Sequence, residues 1–404
     1  MRDLILFAQS GEVRDLVATL TGEFANAPDA LLGVLVDVHP LWQHLWWSYS
    51  QGLRSDSELH REFRNLVDWL DYAPYLLSVS ALERLPWWSP PMTTREVHDF
   101  GWQPEWWKRY CEENNRRPDP FVIRLHVRPL KKDERSILDG IRRIAGRAPY
   151  FVIVEYREPA RLAATTQSHV RVQSGTRLDG AAPGTLGGFV KDQSGNILAM
   201  TCGHIAQQAG DPADLVDVRG KHHRKAGTCT WSTFANMHPL PTQALCNATI
   251  PNPNTVDAAL VDLDARFVGR NLVPGLGPVD DIFDETQLSS GQWLTMYGGH
   301  SGAGRYKLGG YGIVYRFKFK GLDYCFHHLF ELKVDLSGPL PMSVKLMSAT
   351  IPLDGDSGTW VCVSSPRGNA AFAGMLLGVD QLSGYAQFTN VIIAAAASHQ
   401  LSLP

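Results

Sequence analysis

From about residue 165 onward the chain takes on a texture that few folds can accommodate. Short apolar and β-branched runs at 185–191, 197–201, 258–263, 293–297, 311–319, 330–336, 359–363 and 373–379 alternate with glycine-bearing turns. Most of these runs are too short for a stable helix. Their residue types suit a pleated surface, and the glycines between them let the chain reverse. The pattern predicts an all-β sandwich or barrel over 165–404.

The first part of the chain reads differently. Residues 3–20 and 28–49 predict helices, with Pro40 breaking or kinking the second. Ser55 and Glu58 have capping-box spacing, and Leu59, Phe63, Leu66, Val67 and Leu70 then recur with a period near that of a helix. Residues 1–88 are therefore expected to form a small α-helical bundle. After the proline-rich stretch 86–94, residues 121–127 and 150–156 read as strands around a helix at 131–145. This predicts a small α/β connector over 95–160. Nine of the 12 tryptophans lie between Trp42 and Trp107, where they suit core packing or a partner surface.

Composition narrows the function classes. The 404 residues are 44% hydrophobic and 20% charged, as in a globular protein with more than one core. A net charge of -3 argues against nucleic acid as a partner. No stretch of ~18 uncharged apolar residues is present, so no membrane span is expected. The six cysteines are sparse and irregularly spaced, and charges interrupt the first apolar stretch where a signal peptide would lie. Reduced thiols and a cytoplasmic location are expected.

The chemistry concentrates around Gly355-Asp356-Ser357-Gly358. A serine hydroxyl is a poor nucleophile unless a base, normally histidine, can take its proton, and that histidine needs an acceptor to fix its tautomer. It also needs amide N–H groups aimed at the developing oxyanion. Gly355 permits a tight turn in which the N–H groups of Gly355 and Ser357 converge as an oxyanion hole. Of the 14 histidines, His204 stands at the end of an apolar β-like run, in Thr201-Cys202-Gly203-His204. For the acid, Asp257 precedes the apolar 258–261, and Asp262 and Asp264 follow.

His204, Asp257 and Ser357 occur in the order His, Asp, Ser, and the strings around them agree. "TCGHI", "VDAALV" and "GDSG" resemble the three catalytic blocks of the trypsin/chymotrypsin-like serine proteases. "GTLGGFV" (184–190), the glycine-rich 291–314 and "GYAQFTNV" (384–391) are similar to further family segments. The resemblance covers roughly 165–404. It implies a chymotrypsin-like double β-barrel with the site in the cleft between the barrels, and a His204, Asp257, Ser357 triad acting on a protein or peptide substrate. It implies no cofactor and no metal. The pocket is expected to include Ile351, six residues before the serine, with Leu376, Leu377 and Gly378. Ile351 in place of an acid favours an apolar or small side chain at the cleavage site.

The sequence also departs from the family. Ile205 follows His204 where secreted members carry a bridged cysteine. Cys202 reads as a small core residue. No "IVGG"-like start precedes Gly184, so Asp356 needs a partner other than a new N-terminus. The reading is a serine endopeptidase controlled by its N-terminal modules. A helical module in front of such a domain resembles the layout of bacterial conflict systems, and implies a protein partner for the helices. The alternative is a catalytically silent protease-fold scaffold. His222, His223, Cys229, His238 and Cys246 match no standard zinc spacing and read as a decorated loop.

Overall fold

The computed structural model describes residues 1–39, 103, 105–113, 115–162, 176–216, 221–267, 269–273, 276–334, 352–364, 369–380 and 383–404. The first elements are α1 (Arg2–Gln9), α2 (Gly11–Gly22), β1 (Leu31–Val38), α3 (Glu105–Glu113), β2 (Phe121–Val127), α4 (Ser136–Ala145), β3 (Phe151–Tyr156) and β4 (Ala160–Leu162). Then come β5 (Thr176–Asp179), β6 (Pro183–Leu186), β7 (Gly188–Lys191), β8 (Ile197–Thr201), β9 (Pro212–Val216), β10 (His222–Ser232) and β11 (Ala259–Leu263). The chain continues through β12 (Leu272–Val273), β13 (Gly277–Ile282), β14 (Trp293–Gly298), β15 (Gly302–Phe319) and β16 (Leu322–Val334). It ends with β17 (Trp360–Ser364), β18 (Ala370–Val379), β19 (Ser383–Phe388) and α5 (Thr389–Ala395).

Two sheets organise these strands. In the larger, β14, β15, β16, β19, β18 and β17 pair in sequence, and β17 returns to β14. The ring is closed, and where β15 and β18 run past their ring partners β1 and β4 take up the exposed edge. The second sheet has seven strands in the order β6-β5-β9-β10-β11-β8-β7. Its end strands β6 and β7 are joined through Gly187, whose N–H bonds to Met200 O, so this sheet curls toward closure.

The helix expected over 28–49 is corrected by β1 over Leu31–Val38, and residues 40–49 lie outside the described residues. The eight residues of β1 are all buried, with no polar face of helical period. Such a run packs as a central strand, and β1 lies between β15 and β2. The expected N-terminal bundle is thus described only as far as α1 and α2, and the stripe at 59–70 lies outside the described residues. The β-α-β unit is present: β2 and β3 pair in parallel across α4.

One edge of β15 carries β14 over 302–307, then β1 over 311–315, then β4 at 317–318. Strands from residues 31–162 therefore extend a sheet built from the C-terminal half. The two halves also share one core, in which Leu4, Phe24, Val34, Ile123 and Val154 join Tyr306, Phe330 and Leu332.

A buried ion network crosses the same junction. Arg124, 3% exposed, reaches Glu155 at 2.6 Å, Glu331 at 2.6 Å and Asp37 at 3.0 Å. Burial pushes the Glu331 carboxyl up, but Arg124, Lys333 and Arg157 outweigh it and hold the group well below the usual carboxylate range. Removing one member of such a set strands the others in a dry interior. Arg124→Ala is expected to destabilise the fold by about 3–5 kcal/mol, seen as a lower denaturant midpoint.

The cysteine expectation also needs correction. Cys246 and Cys325 form a disulfide across 79 residues, tying the loop before Asp257 to β16. Cys111, Cys202, Cys229 and Cys362 are free and buried. Among the described residues no helix is long and apolar enough to cross a membrane.

Candidate active site

β8 ends at Thr201, and the turn Cys202-Gly203-His204 delivers the imidazole to the base of the seven-stranded sheet. His204 is fully buried. Its main-chain N–H donates to Asp257 Oδ1 at 2.9 Å, and its ring Nδ1 lies 2.5 Å from Asp257 Oδ2. One carboxylate thus grips the histidine at backbone and ring together. A side chain at Gly203 would come within 2.7 Å of Asp257 Oδ1, so glycine there is what lets the acid approach. His204 Nε2 is buried and has no hydrogen-bond partner among the described residues. With Nδ1 held by the acid, Nε2 is the nitrogen left to accept a proton.

Asp257 is held in turn by Gln387 on β19. Gln387 Oε1 accepts the Asp257 N–H at 2.8 Å, and Gln387 Nε2 donates to Asp257 O at 2.6 Å. The competing acids stand elsewhere: Asp262 and Asp264 are exposed, and Asp264 pairs with Arg266.

Ser357 sits in the turn just before β17 and is fully buried. Gly355 has φ +98°, a conformation that a side chain disfavours. Thr185 knits this turn to the seven-stranded sheet: its N–H donates to Ser357 O at 2.9 Å, and its Oγ1 donates to Gly355 O at 2.7 Å. The next residue, Gly358, packs against Cys202, two positions before His204: a Cβ there would lie 3.1 Å from Cys202 N. The turn and the histidine thus meet where the two sheets face each other. The Ser357 hydroxyl donates to Leu377 O at 2.7 Å.

Asp356 has found partners within the same barrel. Its Oδ1 accepts the N–H groups of His300 at 2.8 Å and Ser301 at 3.1 Å, and its Oδ2 accepts Leu353 N–H at 2.8 Å. The turn between β14 and β15 thus anchors the Asp356 carboxylate. The His300 ring packs over Gly355, and burial lowers its pKa, favouring the neutral ring.

Leu376, Leu377 and Gly378 are buried on β18 beside the serine turn. Ile351 lies outside the described residues. Among the described residues, Cys202, His204 and Asp257 form the one trio whose ligand atoms lie within 4.8 Å of one another. Both Asp257 oxygens are already committed to His204. Burial, with Asp257 adding to it, pushes the Cys202 thiol well above its usual pKa. Cys202 therefore behaves as a protonated core group whose Sγ donates to Leu376 O.

Thr185, Gln387, His300 and Ser301 carry no signature in the sequence. Thr185 and Gln387 are neutral polar residues in strands. The last two act on Asp356 through backbone amides, which no side-chain pattern reveals.

No protein-family model matches the chain, and no curated protein matches it. Among solved structures, the chain is similar to a glutamic-acid-specific serine protease described as using a histidine triad in substrate binding. That match has 11% identity over 58% of this chain and 100% of the other, with a TM-score of 0.37. It is also similar to a Nocardiopsis protease, with 16% identity over 58% of this chain and 99% of the other and a TM-score of 0.36. Thermobifida fusca protease A matches with 12% identity over 58% of this chain and 98% of that one, with a TM-score of 0.36.

Proposed function

We propose that the chain is a serine endopeptidase in which Ser357 is the nucleophile, His204 the general base and Asp257 the acid that orients it. The observation that carries this reading is the double grip of Asp257 on His204. It holds Nδ1 as donor and leaves Nε2 buried as the free acceptor, while Gly358 of the serine turn packs against Cys202, two residues before His204.

The chemistry follows from these positions. The Ser357 hydroxyl turns from Leu377 O toward His204 Nε2. As Nε2 takes the proton, Oγ bonds to the substrate carbonyl carbon. The N–H groups of Gly355 and Ser357 receive the developing oxyanion. His204 gives the proton to the leaving amine as the C–N bond breaks, and an acyl-enzyme remains. Water, deprotonated by the same nitrogen, then releases the acid and restores Ser357. Asp257 stabilises the imidazolium in both halves. The substrate is a protein or peptide. Residues 1–88 and 95–160, whose strands β1, β2 and β3 continue the sheet of β15, regulate the protease portion at 165–404.

The test is covalent labelling by a fluorophosphonate, read by mass spectrometry. The phosphonyl adduct is expected on Ser357 alone, and Ser357→Ala should take up none. A wild-type protein that is never labelled, with or without a protein partner, would point to the silent scaffold.

A further inference from the structure

Strand β18 has two edges beside the serine turn. Along one it pairs with β19 through Gly378↔Tyr385 and Val379↔Gly384. Along the other it pairs with β17 only as far as Trp360↔Met375, because N-terminal to Trp360 the chain leaves the ladder to form the Ser357 turn. Leu376 is still held there: its N–H reaches Thr359 O, and its carbonyl accepts Gly358 N–H. The next stretch of this edge, Gly378–Val379, directly follows Leu377, whose carbonyl accepts the Ser357 hydroxyl.

An acyl donor must run N to C toward Ser357. The residues preceding its scissile carbonyl can be held by adding a strand to this edge. Antiparallel pairing with β18 gives that direction, because β18 runs away from the serine turn. The chain's own β4 already lies there, antiparallel, with Arg161 opposite Val379 and Leu162 opposite Gly378. Its polarity is that of a substrate's acyl side.

Three features hold it in place. Ala160 is fully buried, opposite Phe317 of β15. Arg161 is itself exposed, and its charge acts on Asp354 in the serine turn. At the root, buried Arg157 is ion-paired with Glu155 at 3.1 Å, Glu331 at 3.4 Å and Asp380 at 3.6 Å. Gly378 makes the close approach feasible, since a Cβ on it would come 2.5 Å from Arg161 O. Ser357 and His204 have no exposed surface, and the Phe319 ring lies 5.1 Å from the His204 ring.

We propose that Ala160–Leu162 is a built-in competitor strand, seated on the Gly378–Val379 edge in the orientation of a substrate, and that the enzyme is activated when this strand is withdrawn. The inference rests on the protease reading above. It places regulation in the segment that links the N-terminal β-α-β unit to the rest of the chain.

The experiment compares full-length wild type with Arg161→Pro and Gly378→Ala. Proline removes an N–H and breaks the ladder at an exposed position, whereas alanine pushes against Arg161 O from the opposite strand. Ser357 is expected to react with fluorophosphonate at least ~10-fold faster in both variants, because the strand on the Gly378–Val379 edge no longer holds its ladder bonds. Amide exchange at Gly378 and Val379 should accelerate in parallel. A peptide of residues 157–162 added in trans should slow labelling of Arg161→Pro again. If either variant folds, loses protection at Gly378 and Val379, and is labelled at the wild-type rate, the competitor strand is refuted while the protease reading stands. If Ser357 is labelled in none of the proteins, both fall. Should Arg161→Pro fail to fold, Gly378→Ala alone decides.

Discussion

Asp257→Asn is expected to slow peptide hydrolysis about 10⁴-fold while leaving the fold nearly intact. The asparagine amide has the shape of the carboxylate but only one acceptor oxygen. In the native site both Asp257 oxygens accept, one from His204 N–H and the other from the ring Nδ1. If the asparagine oxygen keeps the backbone N–H, its NH₂ faces Nδ1 and donates to it. The ring proton then moves to Nε2, the nitrogen that must take the Ser357 proton. The loss should appear in kcat with KM little changed, because no substrate-binding group is touched. The Gln387 clamp acts only on the Asp257 main chain, so it should hold the asparagine in the same place. A loss of less than 10-fold would show that Asp257 does not set the tautomer of His204.

The site was more legible in the sequence than its supports. Strong local constraints surround each candidate: an apolar strand ending at Thr201 ahead of His204, an apolar run after Asp257, and glycines on both sides of the Asp356–Ser357 pair. Local strings of that kind survive in a single sequence because they must shape the backbone as well as the chemistry. Gln387 and Thr185 carry no such mark. They act by matching hydrogen-bond geometry across segments far apart in the chain, and a glutamine or threonine in a strand looks the same with or without that duty. The disulfide between Cys246 and Cys325 is hidden for the same reason, since nothing local pairs two cysteines 79 residues apart.

β1 shows the limit of periodicity. "LLGVLVDV" is apolar but for Asp37, and so short a run does not declare whether it is a buried strand or part of a buried helix. β15 decides the matter, because beyond the end of β14 its edge offers N–H and C=O groups that a strand can pair and a helix cannot. β4 is a sharper case. Three residues of "ARL" have no signature at all, and their placement depends on two neighbouring strands and the ion pairs of Arg157.

Ser357→Ala should abolish labelling and lower kcat by about 10⁴- to 10⁶-fold. The expected structural cost is small. The hydroxyl donates one hydrogen bond, to Leu377 O at 2.7 Å, and losing a buried bond of this kind destabilises by about 1–3 kcal/mol. That leaves a folded protein in which the remaining machinery can be counted. His204 and Asp257 then have no hydroxyl to activate, so adding His204→Ala to Ser357→Ala should cost almost nothing more. Each change alone should cost nearly as much as both, as expected of groups that act as one unit. Independent contributions would multiply instead, and a double variant slower than either single by a further 10²-fold or more would break the assignment of Ser357 and His204 to one catalytic step. The residual rate should still exceed the uncatalysed one, because the N–H groups of Gly355 and Ser357 remain after the side chain is removed. The Asp356 carboxylate, fixed by the amides of His300, Ser301 and Leu353, keeps the Gly355–Ser357 turn in shape whether or not the nucleophile is present.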